Sequence, residues 1–334
     1  MKVTVLGAGG WGIAIALLLN KNGHDVTLWS AVESEVLLVN NDRENKRCLP
    51  GVRIPEEITI SGDMGPSVEG AEVVVMAVAS VYVRATAKTL SAYYKPGQII
   101  VDLAKGIEDD TLYTMVDIIS QEVKGADVAI LSGPTHAEEV SRGIPTSCVV
   151  GATSKATAEK LQSVFMSDVF RVYTSSDILG IELGGSLKNV IALAAGMADG
   201  LGYGDNSKAA LITRGMAEIA RLGIAMGGKS ETFYGLSGIG DLIVTCASMH
   251  SRNRRAGILM GQGYSMEDAM KEVNMVVEGV YSAKAALKLA KKYNIVMPIV
   301  EQVNLILFEG KPAGEAVNEL MQRDKTIEHS SLNW

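Results

Sequence analysis

Apolar residues along this chain follow two rhythms in turn. Up to about residue 175, short apolar runs alternate with stretches whose apolar positions recur every three to four residues. The runs at 2–6, 25–29, 72–77, 98–102, 128–131, 146–151 and 169–173 predict strands, and the stretches at 11–21, 81–93, 110–123 and 154–166 predict helices between them. Strand and helix in alternation imply a doubly wound, largely parallel sheet. From residue 181 onward only the helical rhythm persists, at 181–202, 206–226, 241–248, 252–261, 265–273, 279–293, 298–308 and 313–322. Pro298 and Pro312 stand at two of these helix starts, where proline's missing N–H does no harm. The expected class is α/β: a sheet domain over 1–178, an all-α domain over 179–324, and a polar tail over 325–334.

The stretch 181–202 is the most unusual of the helical segments. Steps of three and four put Gly184, Gly185, Lys188, Ala192 and Ala195 on one face, a groove of small residues with a single long cation in it. The rest of the segment is mostly apolar, so Lys188 must reach solvent, pair with an acid, or work with a lowered pKa.

Composition narrows the setting. The 334 residues carry 31 basic and 38 acidic side chains, a net charge of −7, so general attraction to nucleic acid or an anionic membrane is not expected and any anion must be held by a local site. The Met-Lys start leads at once into a strand, without the pattern of a signal peptide, and no apolar run is expected to reach the ~20 residues of a membrane span. Cys48, Cys148 and Cys246 are scattered and read as reduced, structural and cytoplasmic. His24, His136, His250 and His329 are too dispersed for a metal site, and no metal is expected.

Candidate chemistry begins after the first strand. Gly7-Ala-Gly-Gly-Trp-Gly12 lies between strand 2–6 and helix 11–21, the setting that turns a short glycine motif into a dinucleotide fingerprint. Gly7 permits the tight turn, Gly9 lets backbone approach a pyrophosphate, and Gly12 lets helix pack on strand. The sheet domain is therefore read as Rossmann-type, with its ligand beyond the carboxyl ends of the strands. Those ends carry Ala79-Ser80, Leu103-Ala-Lys-Gly106 and Ser132-Gly-Pro-Thr-His136, which makes Lys105 a cation on the nucleotide side. The acid that usually ends the second strand and binds ribose is absent, and so is an Arg for a 2′-phosphate: after Trp29 comes Ser30-Ala-Val-Glu33. A dinucleotide cofactor is expected, with neither the NAD nor the NADP signal in its usual place.

In the helical half, Gly235-Leu-Ser-Gly-Ile-Gly-Asp241 brings an acid to a helix start, with Thr245 one turn along the same face. Asp241 also suits a plain helix cap. Met249-His-Ser-Arg-Asn-Arg-Arg255 follows: Ser251 is a plausible cap, and Arg252 and Asn253 lie in the first turn, where arginine opposes the macrodipole unless an anion is bound. A hydroxyl, an Arg and an amide together suit a phosphate monoester, while Arg254 and Arg255 read as a solvated face.

Taken in order, Gly7-Ala-Gly-Gly-Trp-Gly12, the Ser-Gly-Pro-Thr ending at Thr135, Ser186-Leu-Lys-Asn-Val190, the Gly-Ile-Gly-Asp-Leu ending at Leu242, and His250-Ser-Arg-Asn253 resemble the bacterial NAD(P)-dependent sn-glycerol-3-phosphate dehydrogenases, over residues 2 to about 320. The resemblance implies reversible hydride transfer between nicotinamide and dihydroxyacetone phosphate or sn-glycerol 3-phosphate, feeding glycerophospholipid synthesis. It implies Lys188 as general acid/base with Asp241 beside it, and Lys105, Gly133 and Thr135 against substrate. It also implies Ser251, Arg252 and Asn253 at the phosphate end, and Gly10, Trp11, Lys105, Ala137, Arg252, Val276 and Glu278 near the cofactor. The chain departs from that pattern at Ala31 and Val32, where relatives often carry His or Arg, and at Val78-Ala79, where Val-Pro is usual. A homodimer is permitted by the apolar helices and fifteen methionines. The competing readings are another two-domain hydroxyacid, ketopantoate or nucleotide-sugar dehydrogenase, the last wanting a nucleophile such as Cys246, or a non-catalytic NADH sensor.

Overall fold

The computed structural model describes residues 1–325, 327 and 328. Much of the polar tail expected at 325–334, His329 included, lies outside the described residues. The sheet part runs β1 (Lys2–Leu6), α1 (Gly10–Lys21), β2 (Asp25–Trp29), α2 (Glu33–Asp42), β3 (Thr59–Ser61), α3 (Met64–Val68), β4 (Val73–Met76), α4 (Ser80–Ser91), β5 (Ile99–Asp102), α5 (Met115–Glu122), β6 (Asp127–Ser132), α6 (Ala137–Val140), β7 (Thr146–Gly151), α7 (Lys155–Phe165) and β8 (Phe170–Ser175). The strands form one eight-stranded sheet in the order β3-β2-β1-β4-β5-β6-β7-β8, parallel throughout except for β6 with β7. Val3 faces Val26 on one side and Val73 on the other, and these strands are buried on both faces, which is why they read as unbroken apolar runs. The order reverses between β1 and β4, and such a switch point opens a crevice at the carboxyl ends.

After β8 the described chain is helical: α8 (Ile178–Gly200), α9 (Asp205–Ala225), α10 (Ser230–Phe233), a π-helical turn (Leu236–Gly240), α11 (Asp241–Ala247), α12 (Arg252–Gly261), α13 (Met266–Val273), α14 (Glu278–Tyr293), α15 (Pro298–Glu309) and α16 (Ala313–Met321). α8 is the axis of this part, with α9, α11, α12 and α14 packed around it. Its length and apolarity would suffice to cross a membrane, which corrects the expectation that no segment reaches that length; 83% of the apolar window is buried inside the fold, so its hydrophobicity is satisfied by packing.

Two further differences have local causes. The helix expected from residue 110 begins at Met115, because Ile107 pairs with Thr114 and Leu112 takes φ 62°. Thr114 and Asp117 then close a reciprocal capping box that starts α5. The helix α2 carries no clear periodicity, since of its residues only Val39 is buried, and β3 is a three-residue edge strand; neither announces itself in the sequence.

Candidate active site

The glycine loop follows β1 and delivers the start of α1. At Gly7, φ is +120° and a Cβ would stand 2.8 Å from the Ala77 carbonyl oxygen; at Gly12 a Cβ would collide with the Gly7 carbonyl. Gly9 is different: nothing in the protein lies within 4 Å of where its Cβ would be. The N-terminus of α1 has no side-chain cap and no acid in its first turn. An open backbone face before a helix start with free N–H groups fits a pyrophosphate, so the loop can hold the expected dinucleotide. Gly10 lies against the Cys48 carbonyl and Ala137, the first residue of α6, and Trp11 packs partly buried against the sheet core.

Three distant chain segments meet at one carboxylate. Asp241 is 1% exposed; its Oδ2 accepts from Lys105 Nζ at 2.6 Å and its Oδ1 from Lys188 Nζ. The cap at the start of α11 is Gly240, so the Asp241 side chain serves the two lysines and not the helix end. Lys188 Nζ also donates to Thr245 Oγ1 at 2.7 Å, and Thr245 donates on to the Asp241 carbonyl at 2.6 Å. Lys105 Nζ reaches the Gly133 carbonyl at 3.1 Å, to which Thr135 Oγ1 also donates at 3.0 Å. Gly184 and Gly185 permit this convergence: a Cβ at Gly184 would stand 2.6 Å from the Ser237 carbonyl, and one at Gly185 3.1 Å from Ser132 Oγ and 3.6 Å from the Lys105 stem.

Charge follows from the packing. Lys188 is 5% exposed, and burial pulls its ammonium down to about 7, with Lys105 pushing the same way and Asp241 resisting. Burial acts to raise the Asp241 carboxyl, yet the two lysines outweigh it and hold the group below its ordinary value. Two cations on one carboxylate leave the cluster with a positive balance at neutral pH whenever Lys188 is protonated. Amines and a carboxylate at these positions suit proton exchange with a carbonyl oxygen.

The other expected residues fall into two groups. Arg252 makes no hydrogen bond or ion pair to a described residue and feels the Glu278 carboxylate at longer range. Ser251 caps α12, accepting from Arg254 N at 3.2 Å. Asn253 is engaged in packing: its Nδ2 donates to Asn189 Oδ1 at 3.0 Å and its Oδ1 accepts from Gly279 N at 2.8 Å, which ties α12 to α8 and α14. Glu278 accepts from Ser80 N at 3.0 Å and from the Ser80 hydroxyl, so it caps α4 from the helical part; burial raises its carboxyl. That contact anchors the loop after Val78-Ala79 without the proline. Val276 precedes α14, partly buried. Arg254 departs from the solvated face expected of it, bonding Asp199 at 2.7 Å, and Arg255 Nε is buried without a hydrogen-bond partner.

Some site residues escaped the sequence. Asp102, wholly buried at the end of β5, has one carboxylate oxygen without a partner, and burial raises it well above the ordinary range. An acid ending a parallel strand was the available signal. Asn189 and Ser186, which donates to the Gly106 carbonyl at 3.1 Å, flank Lys188 within Ser186-Leu-Lys-Asn-Val190. His136 follows Thr135 directly and stands at the cap of α6; among the described residues, no group of three or more His, Cys, Asp or Glu could hold an ion.

Comparison with known proteins gives the geometry relatives. Residues 2–158 match the model of the NAD-dependent glycerol-3-phosphate dehydrogenase N-terminus, and residues 177–318 that of the C-terminus. An NAD(P)+ glycerol-3-phosphate dehydrogenase of Agathobacter rectalis is 60% identical over 333 residues, covering 100% of this chain and 99% of its own length. One of Fusobacterium nucleatum is 59% identical, covering 99% of each. The crystal structure of a glycerol-3-phosphate dehydrogenase from Coxiella burnetii superposes with a TM-score of 0.93 at 35% identity, over 96% of this chain and 99% of that one.

Proposed function

The chain belongs to the NAD-dependent glycerol-3-phosphate dehydrogenase family, and from that premise we propose which of its residues carry the chemistry. The protein is an oxidoreductase that reduces dihydroxyacetone phosphate reversibly to glycerol 3-phosphate with NAD(P)H. The nicotinamide, when bound, supplies or takes the hydride.

Lys188 is the general acid/base. As ammonium it donates its proton to the ketone oxygen as charge develops there; as neutral amine it accepts the proton of glycerol 3-phosphate in reverse. A base poised at about 7 exchanges protons in both directions near neutral pH, and such help is worth ~10²–10⁴-fold. Asp241 orients the Lys188 ammonium, and Thr245 fixes the remaining direction of Nζ. Lys105, with Gly133 and Thr135, borders the substrate and adds positive charge. Arg252 supplies most of the hold on the phosphate, with Ser251 and Asn253 building the turn that presents it, and remote binding of this kind positions the carbonyl. Gly7, Gly9, Gly10, Trp11 and Gly12 seat the dinucleotide on one side, and Ala137, Val276 and Glu278 border it on the other.

The observation that carries this reading is the shared Asp241 carboxylate, which brings the buried Lys188 and the partly buried Lys105 together. Cys246 does not compete as a nucleophile, because burial pushes its thiol up to about 12. A cytoplasmic enzyme acting as a homodimer and feeding phospholipid synthesis completes the proposal, supported by the family, the reduced cysteines and apolar side chains such as Tyr281 and Val296 left exposed on the helical part. The decisive experiment is Lys188→Met. Its kcat with dihydroxyacetone phosphate should fall below about a hundredth of wild type with cofactor Kd nearly unchanged, and retention of more than about a tenth would reject Lys188 as the acid/base.

A further inference from the structure

The missing acid of the second strand has a replacement. An acid ending that strand recognises the ribose hydroxyls of NAD, and a basic residue there recognises the 2′-phosphate of NADP. Here the strand end offers only Ser30, Ala31 and Val32. The structure brings a carboxylate to the same place from the first turn of α2. Glu35 Oε2 accepts the Ser30 hydroxyl at 2.5 Å, and Glu35 Oε1 accepts from Asn45 Nδ2 at 3.1 Å. Asn45 Nδ2 also donates to the Ala8 carbonyl at 3.0 Å, inside the glycine loop. The carboxylate is thus pinned between the end of β2 and the dinucleotide loop, with its side chain 17% exposed. Both oxygens keep lone pairs for further donors.

We propose that Glu35 is the specificity-determining residue that makes this enzyme prefer NADH to NADPH. The inference rests on the dehydrogenase reading above and extends it to the cofactor. Two donors hold the Glu35 carboxylate before any ligand arrives, so it accepts ribose hydroxyls without reorganisation. A 2′-phosphate in that place meets a like charge, and such juxtaposition is how binding sites reject a near-identical ligand. The start of α2 offers no relief, since its first turn carries Glu33 as well as Glu35. Among the described residues, Arg47 is the cation within 4.0 Å of the Glu35 carboxylate to weigh against this. Its Nη2 stands 3.9 Å from Glu35 Oε1 with 66% of the side chain exposed, a largely hydrated and screened charge that leaves the carboxylate dominant.

The test is direct binding alongside turnover. NADH and NADPH are titrated into the intact protein by calorimetry, and kcat/KM with dihydroxyacetone phosphate is measured with each. Wild type should bind NADH at least about tenfold tighter and show the same preference in kcat/KM. Glu35→Gln, which keeps size and hydrogen-bonding capacity, should bring the two dissociation constants within about threefold, chiefly by tightening NADPH. Equal binding by wild type, or a Glu35→Gln variant with an undiminished NADH preference, overturns the inference while leaving the dehydrogenase reading intact. Should that variant not fold, the wild-type ratio decides alone. Failure of both cofactors to bind would remove the dehydrogenase reading and this inference with it.

Discussion

Lys188 shows what a single residue can and cannot reveal before the chain is folded. Its place in a small-residue groove was visible in steps of three and four, whereas its pairing with Asp241 came only through the family resemblance, since an acid at a helix start also suits a plain cap. That Lys105 would join them on the same carboxylate was not visible, since the contact spans 136 residues and depends on the close approach that Gly184 and Gly185 allow. The third member sets the pH behaviour. Burial and Lys105 lower the Lys188 ammonium to about 7, so the free enzyme switches charge there. Reduction of dihydroxyacetone phosphate needs the ammonium, and its kcat/KM should fall as pH rises through about 7; oxidation of glycerol 3-phosphate needs the amine and should rise through the same point. Lys105→Met removes the second cation and should move both inflections upward. Profiles measured in both directions that run parallel, or an inflection unmoved in the variant, would contradict the acid/base role and the Lys105 coupling respectively.

At the scale of elements, strong periodicity read true and weak periodicity did not. The strands β2 and β7 fall where their apolar runs put them, because a strand buried on both faces can hardly be polar. Short elements carried by caps or edges, such as α2, β3 and the π-helical turn, leave too few buried positions to form a pattern. The pairing of α8 with α12 is intermediate. Gly196 and Gly200 on one helix, Gly257 and Gly261 on the other, recur four apart, and each lets a carbonyl of the facing helix approach so closely that a Cβ would overlap it. Gly196→Ala and Gly257→Ala should therefore destabilise the protein by ~1–3 kcal/mol, although alanine in an ordinary helix interior stabilises by ~0.5–1 kcal/mol over glycine. The same push displaces the start of α12, so KM for dihydroxyacetone phosphate should rise more than KM for the cofactor. Urea unfolding and steady-state kinetics measure the two effects, and an unchanged midpoint would show that the helices are not locked by these contacts.

For the whole molecule, the join between sheet and helices is made by buried acids. Glu182 on α8 accepts from Val116 N on α5 at 2.8 Å, Glu278 on α14 holds the start of α4, and Asp102 lies between them at the end of β5. None of the three has a basic ion-pair partner among the described residues, and burial raises all of them, Glu182 to about 8. An acid that titrates higher in the folded chain than in the unfolded one keeps an extra proton between the two values, so its contribution makes stability decline as pH rises through that window. For Glu182 the window runs from its ordinary 4.5 to about 8. Glu218, raised to about 7, acts in the same sense, whereas His136, lowered by burial, opposes it below 6.5, and Lys188 opposes it above 7. Comparing wild type with Glu182→Gln cancels the groups that do not feel Glu182, while Asp102, which the Glu182 charge pushes up, relaxes in the variant and adds to the difference in the same sense. The glutamine keeps an oxygen for Val116 N and removes the ionisation, so the two proteins should melt together near pH 5. The variant should then pull ahead by several degrees near pH 8.5, a difference on the order of a few kcal/mol at ~1.4 kcal/mol per pKa unit. A melting difference that stays constant across that range would mean that Glu182 ionises as readily inside the fold as outside it, so that its bond to Val116 N, and not a retained proton, is all it brings to the join.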